Sequence, residues 1–131
     1  MENREAIKIS KNKHGSVTIY VDQHEASTIL QYIFDPSVLK EYMLIVNLLF
    51  ENQRNREKYC KADVSNKAKD VFEMRFTNNG RNDRIYCKET NSKSRNIIMV
   101  ELFESKKTQH IPKKITNRIN TIGGYNYEIK K

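Results

Sequence analysis

The spacing of apolar and polar residues along this chain changes period repeatedly, and each change marks a change of secondary structure. Ser16–Val21 alternates, with Val17, Ile19 and Val21 on one side and Thr18 and Tyr20 on the other, which predicts a strand. Asp22 followed by Glu25 reads as a helix cap with a capping-box partner, and Ala26, Ile29, Leu30 and Ile33 then form one helical stripe ending near Phe34. Asp35-Pro36 starts a second helix, because Asp accepts from orphan N–H groups and Pro is preset for the first turn. Its stripe of Val38, Leu39, Tyr42, Val46, Leu49 and Phe50 runs into the charged stretch Glu51–Lys58. Residues 60–70 are polar and aperiodic, so a loop is expected there.

The second half returns to period two. Phe72, Met74 and Phe76 alternate with Glu73, Arg75 and Thr77; Asn78–Asp83 has turn composition; Arg84, Tyr86 and Lys88 share one face of the next strand. Asn96–Glu104 is the most continuously apolar segment and so belongs at the centre of the sheet. A last helix is expected from about Pro112, striped by Ile115 and Ile119 and stopped by Gly123-Gly124, with Tyr125–Ile129 as a short edge strand. Residues 1–14 are polar, and read as a mobile basic arm or a weakly held first strand. The predicted class is α+β: an N-terminal strand, a helical hairpin, a three-stranded antiparallel meander and a C-terminal helix, with the helices on one face.

Size narrows this to a single domain over 1–131, since 131 residues and 15.5 kDa support one core. No stretch approaches the roughly 20 apolar residues of a membrane span. Met1–Glu5 lacks the apolar core of an export signal, and the two cysteines, Cys60 and Cys87, form no disulfide framework. A cytoplasmic location with both thiols free and buried is the expectation.

Charge adds the functional direction. Lys and Arg outnumber Asp and Glu by 24 to 16, a formal charge of +8. Ser105–Thr121 carries Lys106, Lys107, Lys113, Lys114 and Arg118 with no acidic residue, and the preceding hairpin adds Arg75, Arg81, Arg84 and Lys88. Antiparallel pairing would bring part of that hairpin beside Lys106–Lys107. Cations gathered from distant segments repel one another unless a polyanion neutralises them, so nucleic acid is the expected partner. His14, His24 and His110 are isolated, no metal-ligand spacing occurs, and Gly123-Gly124 is a helix stop rather than a phosphate loop; neither metal nor other cofactor is expected. RNA chemistry needs neither. The 2′-OH can attack the adjacent phosphorus when Arg stabilises the phosphorane and a Lys among other cations accepts the proton.

Three stretches together, Phe72-Glu73-Met74-Arg75, Asp83-Arg84-Ile85-Tyr86, and Ile97–Phe103 running into Ser105-Lys106-Lys107-Thr108-Gln109-His110-Ile111-Pro112-Lys113-Lys114, resemble the RelE/HigB toxin superfamily, in particular its phage-derived HigB-like branch. The resemblance covers roughly residues 70–120, with the helical hairpin in the family's position. It implies an mRNA interferase of a type II toxin–antitoxin system, acting on mRNA free or on the ribosome and neutralised by a cognate antitoxin. By the family pattern Arg84 contacts the scissile phosphate and Lys107 is a second phosphate contact, with Arg75 and Lys106 flanking them as catalytic candidates. Arg81, Lys88, His110, Lys113, Lys114, Arg118 and Tyr127 are the candidate RNA contacts. Glu73 lies where some ribosome-dependent relatives carry a catalytic Lys, although Glu is usual in the phage-derived branch. The chain departs from the best-studied branch at Lys113, in the place of a stacking Tyr that Tyr125 or Tyr127 would have to replace. Glu104 sets a negative charge next to the expected site. Two other readings share the scaffold: a non-catalytic RNA- or ribosome-binding module, and a gyrase inhibitor of the ParE kind.

Overall fold

The computed structural model describes residues 2–91, 94–104 and 113–129. Strands β1 (Asn3–Lys11) and β2 (Val17–Asp22) are followed by helices α1 (Ala26–Ile33) and α2 (Pro36–Phe50). Then come β3 (Tyr59–Lys61), β4 (Val71–Phe76), β5 (Asp83–Asn91), β6 (Arg95–Glu104), α3 (Lys113–Gly123) and β7 (Asn126–Ile129). All strands join one seven-stranded mixed sheet in the order β3-β4-β5-β6-β2-β1-β7. The class is α+β, with three helices among the described residues.

The sheet is wider than a three-stranded meander. β4, β5 and β6 pair antiparallel in succession, but β3 extends them on one side. On the other side β2 runs parallel to β6, β1 antiparallel to β2, and β7 parallel to β1. Residues 3–11, for which an arm or a weak first strand is predicted, therefore form an interior strand with neighbours on both sides. Segment 60–70, predicted as loop throughout, holds the end of β3 and a 3-10 turn at Asn66–Ala68. Both differences have one cause: these strands are stabilised by pairing with chain far away in sequence, which local periodicity does not report. The expected centrality of Asn96–Glu104 is met, since β6 is the middle strand.

The helices lie on both faces of the sheet, not on one. β2 is buried along its whole length, as are Asn96–Val100 of β6, so each needs cover on either side. One core packs α1 and α2, through Ile29, Ile33, Val38, Tyr42 and Ile45, onto Ile19, Val21, Met74, Ile85 and Met99. The second packs α3, through Ile115, Ile119 and Ile122, onto Tyr20, Val71, Tyr86, Ile98 and Val100. Fully burying one such Ile side chain contributes roughly 1.5–3 kcal/mol. A short connection ends α3 against the Asn66–Ala68 turn, where a Cβ on Gly123 would stand 2.1 Å from the Lys67 carbonyl. Glycine is required there by close approach of two backbones.

Local signals in the sequence account for most helix and turn boundaries. Asp35 accepts from Ser37 N at 2.9 Å and Pro36 occupies the first turn, as the sequence predicts. Asn79 (φ 61°) and Gly80 (φ 75°) take the left-handed conformations that the Asn-Gly turn anticipates. Asp22 does not cap α1. That helix starts at Ala26 with no side-chain cap, while Asp22 is the buried end of β2.

Candidate nucleic-acid interface

Alternation on β4 and β5 turns Glu73, Arg75, Arg84, Tyr86 and Lys88 toward the α3 side, since Met74, Phe76, Ile85 and Cys87 pack against α1 and α2. Register then sets neighbours. Cys60, Glu73, Tyr86 and Glu101 lie in one row across β3, β4, β5 and β6. Arg75, Arg84 and Phe103 form the next. Two guanidiniums directly opposite on adjacent strands repel, and Glu73 offsets this. Its carboxylate meets Arg75 Nη2 at 2.7 Å and Arg84 Nη1 at 3.5 Å, and its side chain is 3% exposed. The two arginines differ in access: the Arg75 side chain is 37% exposed and that of Arg84 14%.

Two further groups complete the cluster. The Cys60 thiol donates to Glu73 Oε1 at 3.6 Å, and burial followed by the Glu73 charge raises its pKa, so it stays protonated. The Tyr86 hydroxyl is buried and has no hydrogen-bond partner among the described residues. Burial and then the charge of Glu73 push its pKa up, while the Arg84 guanidinium, which approaches the phenol oxygen as a donor outside regular hydrogen-bond geometry, pulls it down. On Arg75, burial lowers and Glu73 raises the pKa, with a net rise. The cluster thus carries one surplus positive charge, two fork-shaped donors held in place, and a buried hydroxyl with spare hydrogen-bonding capacity.

Several other candidates are committed to the fold. Lys88 is buried, donating to Gly123 O at 2.8 Å and to Tyr125 O, with Asp70 at 3.6 Å; it holds the end of α3 to the sheet. Arg118 donates to Glu101 Oε1 and to the Tyr125 hydroxyl, both at 2.6 Å. The Tyr127 hydroxyl donates to Asp22 at 2.6 Å, and Tyr125 is 5% exposed, so neither is free to stack on a base. Arg81 donates to Ser37 O and Ser37 Oγ, tying the 78–80 turn to the start of α2. Lys113 and Lys114 are exposed in the first turn of α3. Lys106, Lys107 and His110 lie outside the described residues.

Glu104 is on the other side of the sheet. It pairs with Asp83 and contributes to the field at Tyr32 of α1, whereas its neighbour Phe103 faces the Arg84 side. The charge expected beside the site is therefore a β-pleat away from it. Neither Tyr86 nor Cys60 stands out in the sequence as a member of the site. The alternation Glu73-x-Arg75 and Arg84-x-Tyr86 places their neighbours on one face, and only the cross-strand register shows that they meet. Among the described residues no group of His, Cys, Asp and Glu is arranged to hold a metal ion. Among the described residues no helix is long and apolar enough to cross a membrane. No family model matches this chain, and no curated protein or solved structure does either.

Proposed function

We propose that this protein acts on RNA as a toxin-like endoribonuclease of the RelE/HigB kind, and that the Glu73–Arg75–Arg84–Tyr86 cluster is where it engages the scissile phosphate. The observation carrying this reading is the cross-strand arginine pair gripped by one buried carboxylate beside the buried Tyr86 hydroxyl. Held guanidiniums need no reorganisation when charge develops on a phosphorane, which is the main requirement for accelerating this reaction. In the proposed step the 2′-oxygen bonds to the neighbouring phosphorus and the 5′-oxygen leaves, giving a 2′,3′-cyclic phosphate and a 5′-hydroxyl end. The proton of the 2′-OH passes to a base and another is delivered to the leaving oxygen. Lys106, Lys107 and His110 are the groups the reading assigns to those transfers and to further phosphate contact. Glu73 is a positioning residue for the two arginines. The cellular partners on this reading are mRNA, with or without the ribosome, and a cognate antitoxin in the cytoplasm.

Induced expression in bacteria should arrest translation and produce mRNA fragments ending in 2′,3′-cyclic phosphate. Arg84→Ala should lower cleavage by about 10²–10³, the usual cost of removing one donor to a developing oxyanion. Arg84→Lys, which keeps the charge and loses the fork, should recover only part of it. Undiminished cleavage by a folded Arg84→Ala protein would sink the assignment.

One observation favours a second reading, an RNA- or ribosome-binding module without turnover. Glu73 pairs with both arginines and so cancels half of their charge. That reading predicts salt-sensitive RNA binding with no cyclic-phosphate product.

A further inference from the structure

A cavity of 890 Å³ opens at the far side of the sheet, between the C-terminal end of α2, residues 52–56 and strand β3. It is near the upper end of the size range for ligand clefts. Five basic residues line it, Arg54, Arg56, Lys61, Arg75 and Arg95, against the single carboxylate of Asp63. Arg75 and Arg95 are paired with Glu73 and Glu89. Arg54, Arg56 and Lys61 are exposed and have no ion-pair partner among the described residues.

The wall behind these cations is aromatic. Tyr59 and Phe72 stack with ring centroids 5.3 Å apart and planes 3° from parallel. The stack is braced: Tyr59 donates to Glu89, and the Arg95 fork holds that carboxylate through two bonds of 2.9 Å. A rigid ring wall edged by unpaired cations is the chemistry that binds single-stranded nucleic acid, with bases stacked and phosphates on the basic rim. A peptide adding to the sheet edge fits less well. β3 is three residues long, and the Tyr59 N–H is already taken by Asn55 O at 2.9 Å.

We infer that this groove holds a single-stranded RNA segment flanking the one at Arg84. The inference rests on RNA being the target of the arginine cluster. Arg75 links the two sites, because it both lines the groove and pairs with Glu73. Tyr59 and Phe72 are on the α1/α2 face and the Arg84 cluster on the α3 face. A strand lying along Arg54, Arg56 and Lys61 therefore reaches the scissile position by rounding the β3 edge of the sheet, where Arg75 stands.

The test is anisotropy of a labelled 2′-O-methyl RNA dodecamer, which cannot be cut, titrated with the full chain at several salt concentrations. Arg54→Ala/Arg56→Ala/Lys61→Ala changes only exposed side chains and should bind about 10²-fold more weakly. Its log–log salt slope should be shallower by about 2, at roughly 0.7 for each phosphate no longer neutralised. Phe72→Leu should bind about tenfold more weakly with the slope unchanged, the signature of weaker stacking at constant charge. Wild-type affinity and slope in the triple variant overturn the groove. So does equal binding of a duplex of the same length, or equally effective competition by an acidic peptide of matched charge. Arg84→Ala, run in parallel for binding and cleavage, separates the two claims. If it loses cleavage while the triple variant binds normally, the cluster stands and the groove falls. If it still cleaves while the triple variant loses affinity, the groove stands and the cluster falls.

Discussion

Two arginine–carboxylate clusters sit on the same α3-facing side of the sheet, one at Asp22 and one at Glu73, and they are built differently. At Asp22 the carboxylates outnumber the arginine, because Arg4 also donates from Nη1 to the exposed Glu2. Arg4 donates from Nε at 2.6 Å and from Nη2 at 3.1 Å, and the Tyr127 hydroxyl and His24 N–H supply the remaining bonds at 2.6 and 2.7 Å. The Arg4 guanidinium also lies 4.3 Å from the centre of the Tyr125 ring. Every polar atom there is used, and the cluster joins β1, β2 and β7. At Glu73 two arginines share one carboxylate, a thiol contributes a weak contact, and the Tyr86 hydroxyl has no partner among the described residues. A closed network holds strands together; one with surplus charge and spare bonding capacity holds donors ready for something else. The contrast separates an arginine fully used by the fold from two that share one carboxylate, which charge counting along the sequence does not.

The largest effect is expected at the closed cluster. Asp22→Asn leaves the mostly buried Arg4 guanidinium with only the exposed Glu2 carboxylate as counter-charge and should cost roughly 3 kcal/mol, read as a lower urea midpoint with unchanged slope. The pH dependence follows from the same pair. Burial raises the Asp22 pKa, but Arg4, Tyr127 and His24 together outweigh it, so the native value lies below the ordinary one. The stabilisation is therefore complete above pH about 4, the unfolded carboxyl value, and is lost as pH falls through the lower native value. Asp22→Asn should lower stability at neutral pH and flatten that acid limb, because the group whose protonation produced it is gone. An acid limb identical to wild type would show the pair contributing nothing.

This contrast also marks where local sequence patterns stop being informative. The pleat of β4 and β5, the shared face of Arg84, Tyr86 and Lys88, the Asp35-Pro36 helix start and the stop at Gly123-Gly124 follow from such patterns, and the structure has them. Lys88 and Arg118 look like free cations in sequence yet are consumed by carbonyls and carboxylates brought close by α3. Asp22 looks like a helix cap, and is instead claimed by Arg4 from a strand whose pairing no local period shows. Charge and alternation place a residue on a face. Its partner is set by register and by helices packed across that face.

A smaller loss of stability is expected at the open cluster. Glu73→Gln keeps the side chain's shape but leaves Arg75 and Arg84 opposed without a counter-charge. Because Arg75 is partly exposed, solvent screens part of the repulsion, and the cost should be about 1–2 kcal/mol, below that of Asp22→Asn. The functional readouts should move in opposite directions. RNA affinity at low salt should rise, as one negative charge is removed, while single-turnover cleavage should fall, as the guanidiniums lose their fixed positions. Cleavage rising in step with affinity would show that Glu73 only screens the arginines and does not position them. The Cys60 pKa supplies a readout independent of RNA: without the Glu73 charge, alkylation of the folded protein near pH 8 should be faster.

The smallest stability effect and the sharpest test of the contrast belong to Tyr86. In a closed network, removing a hydroxyl strands its partner and costs about 1–3 kcal/mol. Tyr86 OH meets only a loose approach of the Arg84 guanidinium, itself paired with Glu73, so Tyr86→Phe strands little and should leave stability within about 0.5 kcal/mol of wild type. Tyr127→Phe, which deprives Asp22 of a bond, is the matched control and should cost more in the same urea titration. If the spare hydroxyl is kept for ligand, Tyr86→Phe should weaken RNA binding or cleavage while Tyr127→Phe leaves both unchanged. A Tyr86→Phe protein with lower stability and full activity on RNA would reverse the contrast, making the hydroxyl part of the fold and leaving the two arginines as the only donors the cluster offers.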